Sequence, residues 1–136
     1  MRLRAATLAD LAELLPPRLP RLFVQAYALQ LRRSAAFTAV DDAGVALVGG
    51  LYPDPESCER ECWLHLRSAP RVRVKDLLVA VVTVLEAAGE GWPIVAHVDA
   101  GSPRDLRFAE FLGFVTRAEV PATTVTPRSL KLVRSV

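Results

Sequence analysis

Side chains with versatile chemistry are scarce in this chain. Its 136 residues include two cysteines, two histidines, two tyrosines and one methionine. Two cysteines, Cys58 and Cys62, make no disulfide framework, so reduced thiols are expected. Cys58, Cys62 and His65 lie close together, but a zinc site needs about four converging ligands. On a strand Cys62 and His65 point to opposite faces, and His97 is the other histidine, so no metal site is expected. An excess of one charge is also missing. Seventeen Lys+Arg against fifteen Asp+Glu leave +2, and no stretch is densely basic. A pI near 8.8 therefore gives no ground for a nucleic-acid partner.

Long apolar runs are absent as well. The nearest, Val74 to Ala88, is broken by Asp76, Thr83 and Glu86, and a membrane span needs roughly 18 apolar residues or more. The opening MRLRAATLADLAELL has neither the apolar core nor the small-residue cleavage site of a signal peptide. No repeat or linker interrupts the chain. One domain over residues 1–136, soluble and intracellular, is expected.

What is present is ordinary globular composition, 51% hydrophobic and 24% charged. Arg2 to Ala5 alternates as a strand. Thr7 is an N-cap with Asp10 three residues on, and Leu8, Leu11, Leu14 and Leu15 form a helical stripe that Pro16-Pro17 ends. Pro20 opens a second helix to about Arg33, with Leu22, Phe23, Ala26, Tyr27 and Leu29 expected inward. Ala36 to Val40 and Val45 to Tyr52 form a hairpin about Asp41–Gly44. Glu61 to Ser68 alternates, with Cys62, Leu64 and Leu66 on one face and Trp63 and His65 on the other. Arg73 to Glu90 is a helix with a broad apolar surface, ended by Gly89 and Gly91. Pro93 to Val98 is a near-continuous apolar strand, as expected of a strand covered on both faces. A helix over Pro103 to Leu112 and strands over Phe114 to Val120 and Leu130 to Val133 complete the chain. The order βααβββαβαββ predicts an α/β (α+β) fold: a mixed sheet of six to seven strands with helices on both faces.

That order resembles the GNAT fold, the acyl-CoA-dependent N-acyltransferases. The opening MRLRAATLADLAEL, the hairpin AFTAVDDAGVALVGGLY and the stretch GSPRDLRFAEFLGF carry the resemblance. The resemblance implies a Gln/Arg-x-x-Gly-x-Gly/Ala loop whose backbone N–H groups hold the pyrophosphate of CoA. Here the matching segment is Arg71 to Asp76, with Val74 and Asp76 in the glycine positions. Arg71, Arg73 and Lys75 remain as basic groups able to attract phosphate. The family's Asn position holds Ser102, and its general-acid Tyr position holds Ala109.

A narrower resemblance is to small GNAT-like proteins that short-tailed bacteriophages encode among their internal virion and tail genes. It rests on Gly49-Gly50, Cys62-Trp63, the glycine-poor helix from Arg73, and Leu106-Arg107-Phe108 with Gly113. It implies a non-catalytic protein of virion assembly, in the virion or host cytoplasm. The partners would be virion or tail structural proteins, self-association is left open, and no cofactor or catalytic residue is implied. The alternative is a divergent acetyl-CoA-dependent N-acetyltransferase holding CoA through Arg71, Arg73 and Lys75, with water or Glu61 as base. Three further readings concern single residues. His97 is a core histidine, or a partner of Cys62 in a nucleophilic pair. Asp99 is a turn residue, or a functional group at a strand end. Trp63 and Trp92 are expected to pack in the core.

Overall fold

The computed structural model describes residues 1–67, 73–124 and 126–134. The elements follow in the expected order: β1 (Arg2–Ala5), α1 (Leu8–Leu14), α2 (Arg21–Arg33), β2 (Ala35–Asp41), β3 (Gly44–Asp54), β4 (Glu59–Leu66), α3 (Val74–Ala87), β5 (Ile94–Asp99), α4 (Pro103–Phe111), β6 (Phe114–Val120) and β7 (Ser129–Arg134). The seven strands form one mixed sheet in the order β1-β2-β3-β4-β5-β7-β6. Every neighbouring pair is antiparallel except β4 and β5, whose parallel pairing requires the crossover that α3 supplies. Among the described residues no helix is long and apolar enough to cross a membrane.

Local chemistry fixes the first half. Thr7 Oγ1 accepts from the Asp10 N–H while the Asp10 carboxylate accepts from the Thr7 N–H, a reciprocal cap for α1. The same carboxylate takes two 2.7 Å bonds from the Arg4 guanidinium and one of 2.9 Å from Thr38 Oγ1, tying β1, α1 and β2 together. Asp10 is buried, and the Arg4 hydrogen bonds, outweighing that burial, hold its carboxyl at about 2. In β3, Gly49 and Gly50 permit close packing. A Cβ at Gly49 would sit 2.4 Å from Leu64 Cδ2, and one at Gly50 2.9 Å from the Ala35 carbonyl oxygen and 3.1 Å from the Trp63 ring.

Two cores flank the sheet. Cys62, Leu77, Val81, Leu85, Ile94, Ala96, Val98, Ala109 and Leu112 pack together on the α3/α4 face. Leu11, Val45, Val48 and Trp63 pack on the α1/α2 face, with Tyr27 and Leu31 against them. Parity along β4 and β5 decides which face each residue takes.

Several expectations are corrected. α2 buries no residue fully; Leu22 is 75% and Phe23 52% exposed. The helix meets the core through Tyr27 and Leu31, an i, i+4 pair. Leu22 lies about 140° around the helix from Tyr27, and Phe23 a turn too early, at 100° per residue. α3 is shorter than expected and leaves Val79 exposed on its outer side. β5 is not covered on both faces, since His97 and Asp99 are exposed. Trp92 is 40% exposed and outside both cores, whereas Trp63 is buried as expected.

Candidate active site

β4 and β5 pair only at their beginnings, Arg60 with Ile94 and Glu61 with Val95. Beyond those residues each strand follows its other neighbour: β4 stays with β3 as far as Leu66, and β5 with β7 as far as Asp99. The sheet therefore splits between Cys62–Leu66 and Ala96–Asp99. A cleft of about 530 Å³ occupies the split, with α2 residues on one side and α4 residues on the other. A gap at the carboxyl end of adjacent parallel strands is a recurrent place for ligands, because the facing strand edges present peptide groups free of a ladder.

On the α1/α2 side the cleft is lined by Glu61, Trp63 and His65 of β4, His97 and Asp99 of β5, and Tyr27 and Gln30 of α2. His97 Nδ1 lies 3.4 Å from Glu61 Oε1, with both side chains a little over one-third exposed. The bond from Glu61 raises the His97 pKa, against partial burial and the opposing charge of Lys131; Glu59 adds to the rise. Lys131, opposite His97 in register on β7, is itself held by Glu59 at 2.8 Å. His65 meets the Tyr27 ring edge-on at 5.2 Å between centroids, and burial lowers its pKa, keeping it neutral. Trp63 donates its indole N–H to Ser34 Oγ at 2.8 Å. The aromatic wall is thereby fixed by hydrogen bonding as well as packing.

The α3/α4 side is apolar: Cys62, Leu64, Ala96, Val98, Phe108, Ala109 and Leu112 among the strand residues and inner turns, while Arg104 and Asp105 from the first turn of α4 also line the cleft. Burial pushes the Cys62 thiol up to about 12, so Cys62 is protonated at neutral pH and is no nucleophile. It also faces away from His97, which corrects the expectation that the two might pair. His97 is likewise no core histidine. Cys62 and His65 do point to opposite faces, with Cys58 in the exposed turn before β4. Asp99 takes the turn role, Oδ1 accepting from the Gly101 N–H at 2.8 Å. Ser102 is the N-cap of α4, and Ala109 is buried.

The start of α3 carries the basic residues singled out in the sequence. Arg71 lies outside the described residues. Arg73 is the N-cap residue and Lys75 the second helical residue, and the Arg73 side chain makes no capping hydrogen bond. The Asp76 and Leu77 N–H groups bond the Arg73 carbonyl, while those of Val74 and Lys75 precede the first helical acceptors. Asp76 sits in the first turn of α3. Val74 is 56% exposed. Arg104, from the first turn of α4, lines the cleft.

The pairing of Glu61 with His97 was missed in the sequence, where Glu61 enters only as a possible base with no partner named. The signal was parity: once Glu61 is in register with Val95, residues 61 and 97 share a face.

No protein-family model matches the chain, and no curated protein matches it in sequence. Solved structures do match its fold. A variant of the spermidine N-acetyltransferase SpeG from Vibrio cholerae superposes with TM-score 0.72 at 15% identity, covering 98% of this chain and 94% of that one. The ribosomal-protein-S18-alanine N-acetyltransferase from Escherichia coli does so with TM-score 0.72 at 14% identity, covering 98% and 92%. The chain has the GNAT fold. These neighbours overturn the expectation of a non-catalytic, phage-type virion component, which took this fold for an inert packing module; both of these structures are of N-acetyltransferases. The expectation of no cofactor loses its support with it.

Proposed function

We propose that the chain is an acetyl-CoA-dependent N-acetyltransferase acting on an amine. The observation that carries this reading is the split between β4 and β5, with the carboxylate–imidazole pair of Glu61 and His97 on one of its sides. The neighbours' acetyl transfer to spermidine and to a protein alanine supports the same class of reaction.

The residues present suit the cofactor. Phosphate needs free N–H groups and positive charge at a helix start, and the first turn of α3 offers the Val74 and Lys75 amides with the exposed Arg73 and Lys75 side chains. When bound, acetyl-CoA would supply the acyl group as a thioester, so that a C–N bond forms and the C–S bond breaks; of the two protons an ammonium acceptor loses, one neutralises the departing thiolate and the other passes to solvent.

The chain's own residues do the rest. An amine arrives protonated at neutral pH and must lose a proton before it can attack. Glu61 faces His97 Nδ1, which leaves Nε2 of the neutral imidazole as the base, and the carboxylate stabilises the imidazolium that results. Ala109 offers no proton donor from α4, so protonated His97 is the proton store for the second half of the reaction. The apolar α3/α4 side keeps water away from the reacting atoms.

The test is transfer itself. Purified protein, acetyl-CoA and a set of primary amines are incubated, and CoA and N-acetyl product are measured by mass spectrometry, because exposed Cys58 would react with a thiol reagent. Product above the protein-free control, lost in Glu61→Gln, is expected. Absence of product with every amine, at acetyl-CoA concentrations that saturate binding, would overturn the reading.

A further inference from the structure

The α1/α2 side of the cleft has a composition that selects among amines. Three carboxylates stand on this side, two of them already engaged, and a fourth, Asp105 of α4, lines the cleft from the other side. Glu59 is bound to Lys131 at 2.8 Å, and Asp99 Oδ1 holds the Gly101 amide. Glu61 is left to meet a cation, with His97 beside it. A polyamine carries several ammonium groups, each needing a carboxylate or open water, and this wall does not provide a row of them. What it provides instead is aromatic surface: Tyr27, Trp63 and His65, stacked edge-on and tilted at 5.2 and 5.8 Å between centroids. Burial keeps His65 neutral, so no like charge repels an approaching ammonium, and ring faces attract a cation.

We infer that the acceptor is a small monocationic amine with an apolar body of about the size of an aromatic ring, its nitrogen beside Glu61 and His97 and its body against Tyr27, Trp63 and His65. The inference rests on the acetyltransferase reading for its chemistry, but the binding half stands on the cleft alone. A volume of about 530 Å³ is that of a small-molecule site.

Binding and turnover are measured separately, so that the two claims fail separately. Phenethylamine and spermidine are titrated into the protein without acetyl-CoA, followed by ligand-observed NMR and by tryptophan fluorescence. Each amine, together with a short alanine-initiated peptide, is then assayed for acetylation. Phenethylamine is expected to bind about ten-fold tighter than spermidine. Tyr27→Ala should weaken phenethylamine by a similar factor and leave spermidine unchanged; Tyr27→Phe should restore it. Equal or tighter binding of spermidine, preferential acetylation of spermidine or the peptide, or indifference of phenethylamine to Tyr27→Ala would overturn the inference. Selective binding of phenethylamine without acetylation of any amine would uphold the acceptor site and overturn the acetyltransferase reading instead.

Discussion

The two sides of the split between β4 and β5 are built from alternate residues of the same two strands, yet they share almost no chemistry. Residues 62, 64, 96 and 98 join a core with α3 and α4. Residues 61, 63, 65, 97 and 99 face α1 and α2 with two carboxylates, two imidazoles and an indole. Only one residue of spacing separates Cys62, whose thiol burial locks in the protonated form, from Glu61, a third exposed and paired with His97. A two-residue period lets one strand serve a dry wall and a reactive wall together. The cost of opening the sheet is met on the dry side by packing, which leaves the other side free to carry charge.

The comparison is broken most forcefully from the dry side. Leu112, 3% exposed on the cleft's apolar wall, should cost about 2–5 kcal/mol of stability on replacement by alanine, read as a lower denaturant midpoint. Glu61→Gln, on the reactive side, should leave that midpoint nearly unchanged and lower kcat by about 10²-fold. If the two variants exchange these effects, the division between the walls is wrong.

The pH profile sharpens the same contrast. The Glu61 hydrogen bond raises the His97 pKa above its ordinary 6.5, and the base must be neutral to act. Activity should therefore be low at acid pH and rise through a pKa above 6.5. In Glu61→Gln the residual activity should rise at lower pH, because the raising charge is gone. A limb that stays put would remove His97 from the proton path. The smallest effect concerns the thiols. Cys58 is exposed and Cys62 buried with its pKa near 12. A thiol reagent should titrate one cysteine in the native protein and the second only in denaturant, and Cys62→Ala should keep most of the activity.

Much of the fold was legible because it is local. Alternation placed Cys62 and Trp63 on opposite faces of β4, the Thr7–Asp10 spacing set the first cap, and the strand–helix–strand run from Glu61 to Val98 implied the parallel pair. What stayed hidden was non-local. The composition of α2 reads as an inward stripe, but only the sheet's position decides that Tyr27 and Leu31 pack while Leu22 and Phe23 do not. The divergence of β4 from β5 leaves no mark in either strand, since each stays fully paired on its far side. Val74 and Asp76 stand in the sequence where the resemblance implies glycines, and sequence could not show that the Val74 side chain is 56% exposed.

Those two positions decide the central claim, and calorimetric titration of the protein with acetyl-CoA tests it most directly. The account predicts binding in the micromolar range, weakened about ten-fold or more when Arg73 and Lys75 are both replaced by alanine. No heat at millimolar acetyl-CoA, from a protein that unfolds cooperatively, would contradict it.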